Sequence, residues 1–202
     1  RTILSRAHLS RVVTELDMSF WSGPLLVLWL YLPGYLANTA AMFGGKWLPD
    51  LLGIEPRPID GGRRLSDGHR ILGDGKTWNG LSGALIGAGL LCMFTHWVGE
   101  NHIVENGVFL DPLIWVGPSD WFWIGGEWGA AFIVGVCLGF GCMFGDCAGS
   151  FIKRRMGKKR EGSESSQAPL LDTLPFAFCT FAMGLFLFPD ALVGNSDLIG
   201  PM

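Results

Sequence analysis

Four long apolar runs constrain this chain more than any other feature of its sequence. They cover residues 21–43, 78–98, 121–152 and 171–187. Each is long enough to cross roughly 30 Å of hydrocarbon, since a membrane-spanning helix needs about 17 to 25 apolar residues. Charged residues are only 16% of the chain, against roughly 25% in soluble domains. The sequence therefore predicts an all-α, polytopic membrane helical bundle with four spans, forming a single domain over residues 1–202.

The segment before the first run, residues 1–20, carries Arg1, Arg6 and Arg11. The apolar run that follows is too long for the core of a signal peptide and lacks a small-residue cleavage site. Apolar residues within the segment recur with a roughly helical period, so we expect an amphipathic segment that lies on the membrane surface. The sequence has no initiating Met and stops soon after the fourth run, so we expect it to be incomplete at one or both ends.

Basic residues occur in three places, which are the N-terminal segment and residues 44–77 and 153–160. Residues 99–120 contain no Lys or Arg and carry several acids. The positive-inside rule places both basic loops in the cytosol and the acidic loop outside. Two spans separate the basic loops, so alternation also puts them on one face. The N-terminal arginines conflict with this topology unless their segment lies on the membrane surface.

Glycines four residues apart recur inside the predicted spans. Such spacing lets helix backbones approach closely, so it predicts compact packing within the chain, with a homodimer as the alternative use. The pairs are Gly83 and Gly87, Gly135 and Gly139, Gly141 and Gly145, and Gly145 and Gly149. The five cysteines form no C-x-x-C pair. We expect these cysteines to serve as small apolar side chains in packed helices. Their spacing supports neither a zinc site nor a disulfide framework.

The first polar cluster ends in Gly75, Lys76 and Thr77, which look like the end of a P-loop. Arg70 stands where that motif requires its first glycine, and no strand precedes it, so a Walker A site is excluded. We expect Asp74 to cap the second span and Lys76 and Thr77 to lie in its first turn, where free N–H groups attract phosphate. The alternative is a basic loop that contacts anionic headgroups.

The second polar cluster surrounds Asp146, near the cytosolic end of the third run, where an unpaired charge is costly. On a helix, Asp146 shares a face with Ser150 and with Lys153 or Arg154. A carboxylate, a hydroxyl and a cation in one column suit a metal–phosphate site. The alternatives are an ion pair between helices or within one, and plain positive-inside anchoring for the basic residues at 158–160.

Two further polar residues approach the same face. Asp172 enters the fourth run from the cytosolic side, where it and Asp146 could share Mg²⁺, an ion that prefers hard oxygen ligands together with nucleotide phosphates. The N-cap of the fourth span is the alternative role for Asp172. Asn38 lies near the cytosolic end of the first run, and its alternative role is an interhelical hydrogen bond.

Six blocks, in order over residues 33–172, resemble the CDP-archaeol synthases, the archaeal relatives of the CDP-diacylglycerol synthases. The blocks are YLAN at 35–38, PID at 58–60, GRRL at 62–65, GDGKTW at 73–78, GDCAGSFIKRR at 145–155 and APLLD at 168–172. The resemblance implies transfer of a cytidylyl group from CTP to 2,3-bis-O-(geranylgeranyl)-sn-glycerol 1-phosphate. Mg²⁺ would be required, pyrophosphate would leave, and the active site would face the cytosol.

The resemblance also implies roles for single residues. Asp146 and Asp172 become metal ligands and, with Lys153, catalytic residues. The implied contacts with nucleotide and phosphate are Asn38, Arg63, Arg64, Arg70, Lys76, Thr77, Ser150 and Arg154. The implied partners are CTP, an isoprenoid ether lipid phosphate and membrane lipids, with no nucleic acid.

The chain departs from the family pattern in three places. Pro175 stands where the family has a second carboxylate. Either that carboxylate is dispensable, or another acid, Asp74 or Asp60, compensates for its absence. A fifth span with a motif rich in His and Asn does not follow residue 188 in this sequence. The acidic loop at 99–120 is longer than the family norm.

Two rival functions follow from the same residues. One is a phosphatidate cytidylyltransferase that acts on ester lipids, since pocket shape decides the lipid and the sequence does not reveal it. The other is a non-enzymatic membrane transporter or lipid-binding scaffold whose charged loops contact headgroups. That function predicts no nucleotide binding and polar residues at mid-membrane, whereas the polar residues here gather at one end of the spans.

Overall fold

The computed structural model describes residues 22–101, 109–114, 116–157 and 169–187, and it describes residues 22–23 and 169–172 by their backbone alone. Every regular element in these ranges is helical, apart from isolated β-bridges within the loop that precedes the second span. This confirms the predicted all-α class. The interfacial segment expected at residues 1–20 lies outside the described residues, as do the basic residues at 158–160.

Within the described ranges, six α-helices follow in chain order. They are α1 (Ser22–Leu30), α2 (Leu32–Met42), α3 (Leu48–Leu52), α4 (Trp78–Asn101), α5 (Gly126–Arg155) and α6 (Pro169–Leu187). A single π-helical turn, Phe43–Trp47, joins α2 to α3. The third predicted run begins in a loop, because its first residues form turns before α5 starts.

The first predicted span is bent by 49° between α1 and α2. Pro33 explains the bend, because it lies at the start of α2 and cannot donate the backbone hydrogen bond that would continue α1. The helical path then runs through the π turn to Leu52, beyond the predicted end at residue 43.

Two helices, α4 and α5, are each long and apolar enough to cross a membrane, and the bent run from Pro24 to Leu52 would make a third span. The fourth predicted run corresponds to α6, in which Thr173–Leu187 is an apolar helical stretch shorter than the two long helices. The membrane bundle is thus confirmed, and the count of four spans stays a prediction.

Glycines bring the long helices into backbone contact. A Cβ atom on Gly139 would lie 2.7 Å from the Cβ of Ala88 in α4. One on Gly145 would lie 2.5 Å from the Cα of Phe176 in α6. Such contacts leave no room for a side chain, so the predicted close packing is confirmed within this chain. Homodimerisation through the same spacings stays a prediction.

Helix α5 packs against α4 on one side and α6 on the other, antiparallel to both. The N-terminus of α4, the C-terminus of α5 and the N-terminus of α6 therefore lie at one end of the bundle. The loop over residues 53–77 folds over that same end, with hydrogen bonds to Arg154 and Arg155. This arrangement collects at one end the polar residues that the sequence distributes over four segments.

Candidate active site

Asp60 organises the loop that covers this end of the bundle. Its carboxylate accepts two hydrogen bonds from the Arg70 guanidinium, at 2.7 and 3.2 Å, and others from the backbone N–H groups of Gly62, Leu72 and Gly73. The side chain is 1% exposed. The Arg70 guanidinium, helped by these N–H groups, holds the pKa of Asp60 well below its usual range. Folding therefore stabilises the ionised form, and this contribution is lost as the pH falls below the ordinary value of 3.8.

We expect Asp60→Ala to loosen the loop, because it leaves a partly buried guanidinium and several N–H groups without their acceptor. The loss should be about 2 kcal/mol of local stability, which corresponds to roughly thirtyfold faster tryptic cleavage through local opening. Cleavage after Arg63 and Arg64, followed by mass spectrometry on protein in detergent, measures this. Glu55→Gln, an exposed carboxylate of the same loop, is the matched control. Equal cleavage rates in the two variants would contradict the role of Asp60.

The C-terminal end of α5 holds the loop from the other side. Arg155 donates to the carbonyl oxygen of Arg70 at 2.6 Å and forms an ion pair with Asp67. The neighbouring Arg154 donates to the carbonyl oxygen of Leu72 at 3.4 Å. The loop is thus fixed to the helix that carries Asp146.

Thr77 caps helix α4. Its Oγ1 accepts a hydrogen bond from the N–H of Gly80 at 3.1 Å, which is the bond an N-cap side chain makes. The expectation that Asp74 caps this helix is therefore wrong. The reason is a turn over residues 73–76 that places Asp74 before the helix, which begins at Trp78.

A cavity of about 580 Å³ lies between the loop, α2, α4 and α5. Most of the residues expected to bind nucleotide or metal line it. Those residues are Asn38, Lys76, Thr77, Asp146, Ser150, Lys153 and Arg154. The shared lining confirms that the polar residues of α5 project from one face. A cavity of this size is typical of small-molecule sites.

An ion pair between Lys76 and Asp146 crosses the floor of this cavity. Both side chains are about one-fifth exposed, and both line the cavity. The contact joins the loop before α4 to Asp146, the first residue of the polar column on α5, 70 residues away in sequence. The ion pair also keeps the carboxylate of Asp146, the one acidic residue that α5 contributes to this lining, directed at the loop. An ion pair of Asp146 therefore exists and lies inside the cavity, but its cation comes from the loop before α4, whereas the sequence-based alternative placed it on a helix.

Three predicted phosphate contacts lie outside the lining. Arg63 and Arg64 are exposed on the loop, where Arg64 donates to the carbonyl oxygen of Gly68 at 2.8 Å. Arg70 is held by Asp60 and by Asp74, whose Oδ1 lies 2.8 Å from Nη1 of Arg70. Their roles in phosphate binding stay predictions.

The described backbone places Asp172 in the first turn of α6, which begins at Pro169, so the alternative of an N-cap at Asp172 is wrong. Its side chain lies outside the described part of the structure. The backbone of α6 meets α5 where Gly145 touches Pro175. Asp172 therefore lies about one turn from this crossing, on the side of the loop. Of the two acids considered as substitutes at Pro175, Asp74 lines the cavity and Asp60 is used by the loop.

Lys46 is a cavity residue that the sequence analysis did not single out. It lies in the π-helical turn, a feature that frequently occurs at functional sites. Gly44 and Gly45 allow this turn to pack on α4, where a Cβ on Gly45 would lie 3.1 Å from the Cα of Gly80. The signal in the sequence was the glycine pair followed at once by a lysine at the end of an apolar run.

A second cavity, of about 320 Å³, adjoins the same contact between the π turn and α4. Gly44 lines this cavity, whereas Gly45 lines the first. Its wall is mainly apolar. The apolar residues in it are Leu48, Pro49, Leu52, Ile54, Trp78 and Ile86. Several of them are more than half exposed, so this cavity opens on the outer surface of the bundle.

Comparison with known proteins identifies the family. The CarS-like family model, described as CDP-archaeol synthase, matches residues 22–115 and 122–198. The chain belongs to the CDP-archaeol synthase family. The CDP-archaeol synthase of Methanosarcina barkeri is 36% identical over 165 residues, which cover 81% of this chain and 80% of that protein. The CDP-archaeol synthase of Thermococcus gammatolerans is 33% identical over 184 residues, covering 91% and 82%.

A solved structure is also similar to this chain. It is described as an intramembrane enzyme for archaeal membrane lipids biosynthesis, with a TM-score of 0.56 and 27% sequence identity. The likeness covers 80% of this chain and 77% of that one. As a member of the CDP-archaeol synthase family, this chain is a membrane enzyme, a cytidylyltransferase of lipid synthesis. The resemblance carried by the six sequence blocks is thereby confirmed.

Proposed function

We propose that this chain transfers the cytidylyl group of CTP to 2,3-bis-O-(geranylgeranyl)-sn-glycerol 1-phosphate, with release of pyrophosphate. The reaction takes place in the cavity of about 580 Å³ between the loop, α4 and α5. The observation that carries this proposal is the Lys76–Asp146 pair in a cavity whose charged residues are mostly cationic, at one end of the apolar bundle.

The charge of the cavity suits a nucleoside triphosphate. Its lining contains four cationic side chains, Lys46, Lys76, Lys153 and Arg154, against the carboxylates of Asp74 and Asp146. Thr77 lies at the N-terminus of α4, where the helix dipole favours anions. A triphosphate would add the negative charge that balances this excess. We therefore assign the phosphates of CTP to this region.

The donor atoms in the cavity suit Mg²⁺. Asp74, Asp146, Ser150 and Asn38 offer carboxylate, hydroxyl and amide oxygens, which are the hard ligands that Mg²⁺ prefers. Asp146 would hold the ion, and Asp172, one turn from the α5–α6 crossing, would be its partner. When bound, Mg²⁺ would neutralise charge on the phosphates and on the leaving pyrophosphate.

The residues of the chain would act mainly by positioning and by charge neutralisation. A lipid phosphate is already ionised near neutral pH, so its attack on the α-phosphorus of CTP needs no strong general base. The barriers are repulsion between the two anions and the charge that builds on the leaving group. Lys76, Lys153 and Arg154 would lower both, and the loop held by Asp60 would keep the phosphates aligned with the lipid.

The second cavity suits the apolar part of the lipid. It is mainly apolar, opens on the outer surface of the bundle and adjoins the first cavity at Gly44 and Gly45. An isoprenoid chain lying there would leave its phosphate close to the cationic lining. We further propose that the loop end of the bundle faces the cytosol, because the basic residues of 44–77 and 153–155 lie there and CTP is supplied from that side.

The decisive assay follows formation of a CDP-lipid from labelled CTP and digeranylgeranylglyceryl phosphate in liposomes. We expect product with Mg²⁺, and loss of nearly all product with EDTA, recovered when Mg²⁺ is restored. Diacyl phosphatidic acid, offered in competition, decides between ether and ester lipids. Product from neither lipid, tested also with a chain extended at both ends, together with no CTP binding, would favour the transporter or scaffold.

A further inference from the structure

A buried histidine lies at the end of the bundle opposite to the proposed active site. His96, in the last two turns of α4, is 2% exposed. Its Nδ1 lies 2.8 Å from Oδ1 of Asp111, while its Nε2 has no hydrogen-bond partner among the residues that the structure describes. A buried polar atom without a partner costs free energy, so native structures rarely keep one without a reason.

Two carboxylates accompany this histidine. Glu100 follows it by one helical turn on α4, so both residues lie on one face, and Glu127 lies in the first turn of α5. One ring nitrogen of His96 and one carboxylate oxygen from each glutamate lie within 4.8 Å of one another. The ring of Trp128 contacts the His96 ring edge to face, with centroids 5.1 Å apart, and restricts its rotation.

We propose that His96, Glu100 and Glu127 bind a divalent transition-metal ion of the Zn²⁺ type. Because Nδ1 is engaged by Asp111, Nε2 is the nitrogen that would coordinate the ion. A carboxylate on the far nitrogen is the usual outer partner of a metal-bound histidine, since it fixes the tautomer and the ring orientation. One imidazole and two carboxylates suit Zn²⁺, with water as fourth ligand, better than they suit Mg²⁺, which avoids nitrogen.

The geometry requires only small movements. Ligands about 2 Å from a tetrahedral ion lie roughly 3.3 Å from one another, so the ligand atoms, which lie within 4.8 Å of one another, would close by up to about 1.5 Å. The two glutamates belong to different helices, so the ion would join the end of α4 to the start of α5. It would also neutralise two carboxylates at the edge of an apolar bundle. We therefore assign it a structural role, separate from catalysis.

Metal counting tests the proposal. The full chain in detergent is stripped with a chelator, dialysed against Zn²⁺ with excess Mg²⁺, and analysed by mass spectrometry for bound zinc. We expect about one Zn²⁺ per chain. Saturation at about a hundredfold excess over the dissociation constant should raise the melting temperature by roughly 5 to 10 °C.

Variants locate the ion. Glu127→Gln and Glu100→Gln should each weaken Zn²⁺ binding at least tenfold, whereas Glu55→Gln, an exposed glutamate of the other end, should bind zinc normally. Asp146→Asn should also keep its zinc, which separates this site from the proposed Mg²⁺ site. An unmodified chain that binds no zinc overturns the proposal without any variant. Zinc retained by Glu127→Gln, or lost only from Asp146→Asn, overturns it as well.

Discussion

Asp146→Asn is expected to lower the rate of CDP-lipid formation by about a thousandfold, the largest effect on activity that the structure predicts. The substitution removes the charge that would hold Mg²⁺ and the partner of Lys76, both at the floor of the cavity. Loss of several kcal/mol of transition-state stabilisation corresponds to a factor of this size. The measurement is initial rate against Mg²⁺ concentration in liposomes, with membrane insertion checked by fractionation.

The matched control is Asp50→Asn, an exposed aspartate on α3 at the same end of the bundle. It should retain nearly normal activity. If both variants inserted into the membrane and Asp146→Asn turned over at a near-normal rate, the metal role of Asp146 would be wrong. A rate that falls without a change in Mg²⁺ dependence would reassign Asp146 to the positioning of Lys76.

Gly145→Ala is expected to have the largest effect on stability. The added Cβ would lie 2.5 Å from the Cα of Phe176 and closer still to the carbonyl oxygen of Pro175, so α5 and α6 must separate. Both obstacles are backbone atoms, which no change of rotamer relieves. We expect a loss of about 3 kcal/mol and a fall in melting temperature of roughly 10 °C in detergent, followed by circular dichroism.

Gly117→Ala is the control for this variant, because nothing lies within 4 Å of an added Cβ there and its backbone does not require glycine. Its melting temperature should match that of the unmodified chain. Equal melting temperatures for the two variants would show that the α5–α6 contact is looser than the structure describes. Gly145 also precedes Asp146, so the same variant should lose activity below its melting temperature.

The sequence predicted best what depends on local periodicity. The column from Asp146 to Arg154 follows from 3.6 residues per turn, and these residues line one cavity. The glycine spacing predicted close helix contacts for the same reason, and Gly139 and Gly145 make them. Both depend only on positions within one helix, which the sequence states directly.

Contacts between distant segments escaped prediction. Asp74 has the residue type and position of an N-cap, but Thr77 takes that role because residues 57–59 pair with the segment before α4. Asp60 entered the sequence analysis only as a substitute acid, since nothing local indicates that Arg70 and two later N–H groups converge on it.

His96 shows the same limit more sharply. The sequence analysis assigned it no role, although Glu100 follows it at helical spacing on α4. Its significance depends on Asp111 and Glu127, which belong to a loop and to the next long helix. A candidate metal site is recognised only when the fold places these residues around the buried ring of His96.

Gly44 contacts Gly83, and Gly45 contacts Gly80. At this point the polar first cavity and the apolar second cavity are separated by the backbones of the π turn and α4, with no side chains between them. In the proposed reaction the isoprenoid tail therefore does not have to be extracted from the bilayer into water. Lifting an isoprenoid tail into water would cost about 0.8 kcal/mol for each methylene group, a prohibitive sum over a chain of twenty carbons. Here the tail would remain dissolved in the bilayer while its phosphate crosses a boundary only a few ångströms wide, and the nucleotide would never leave the aqueous phase.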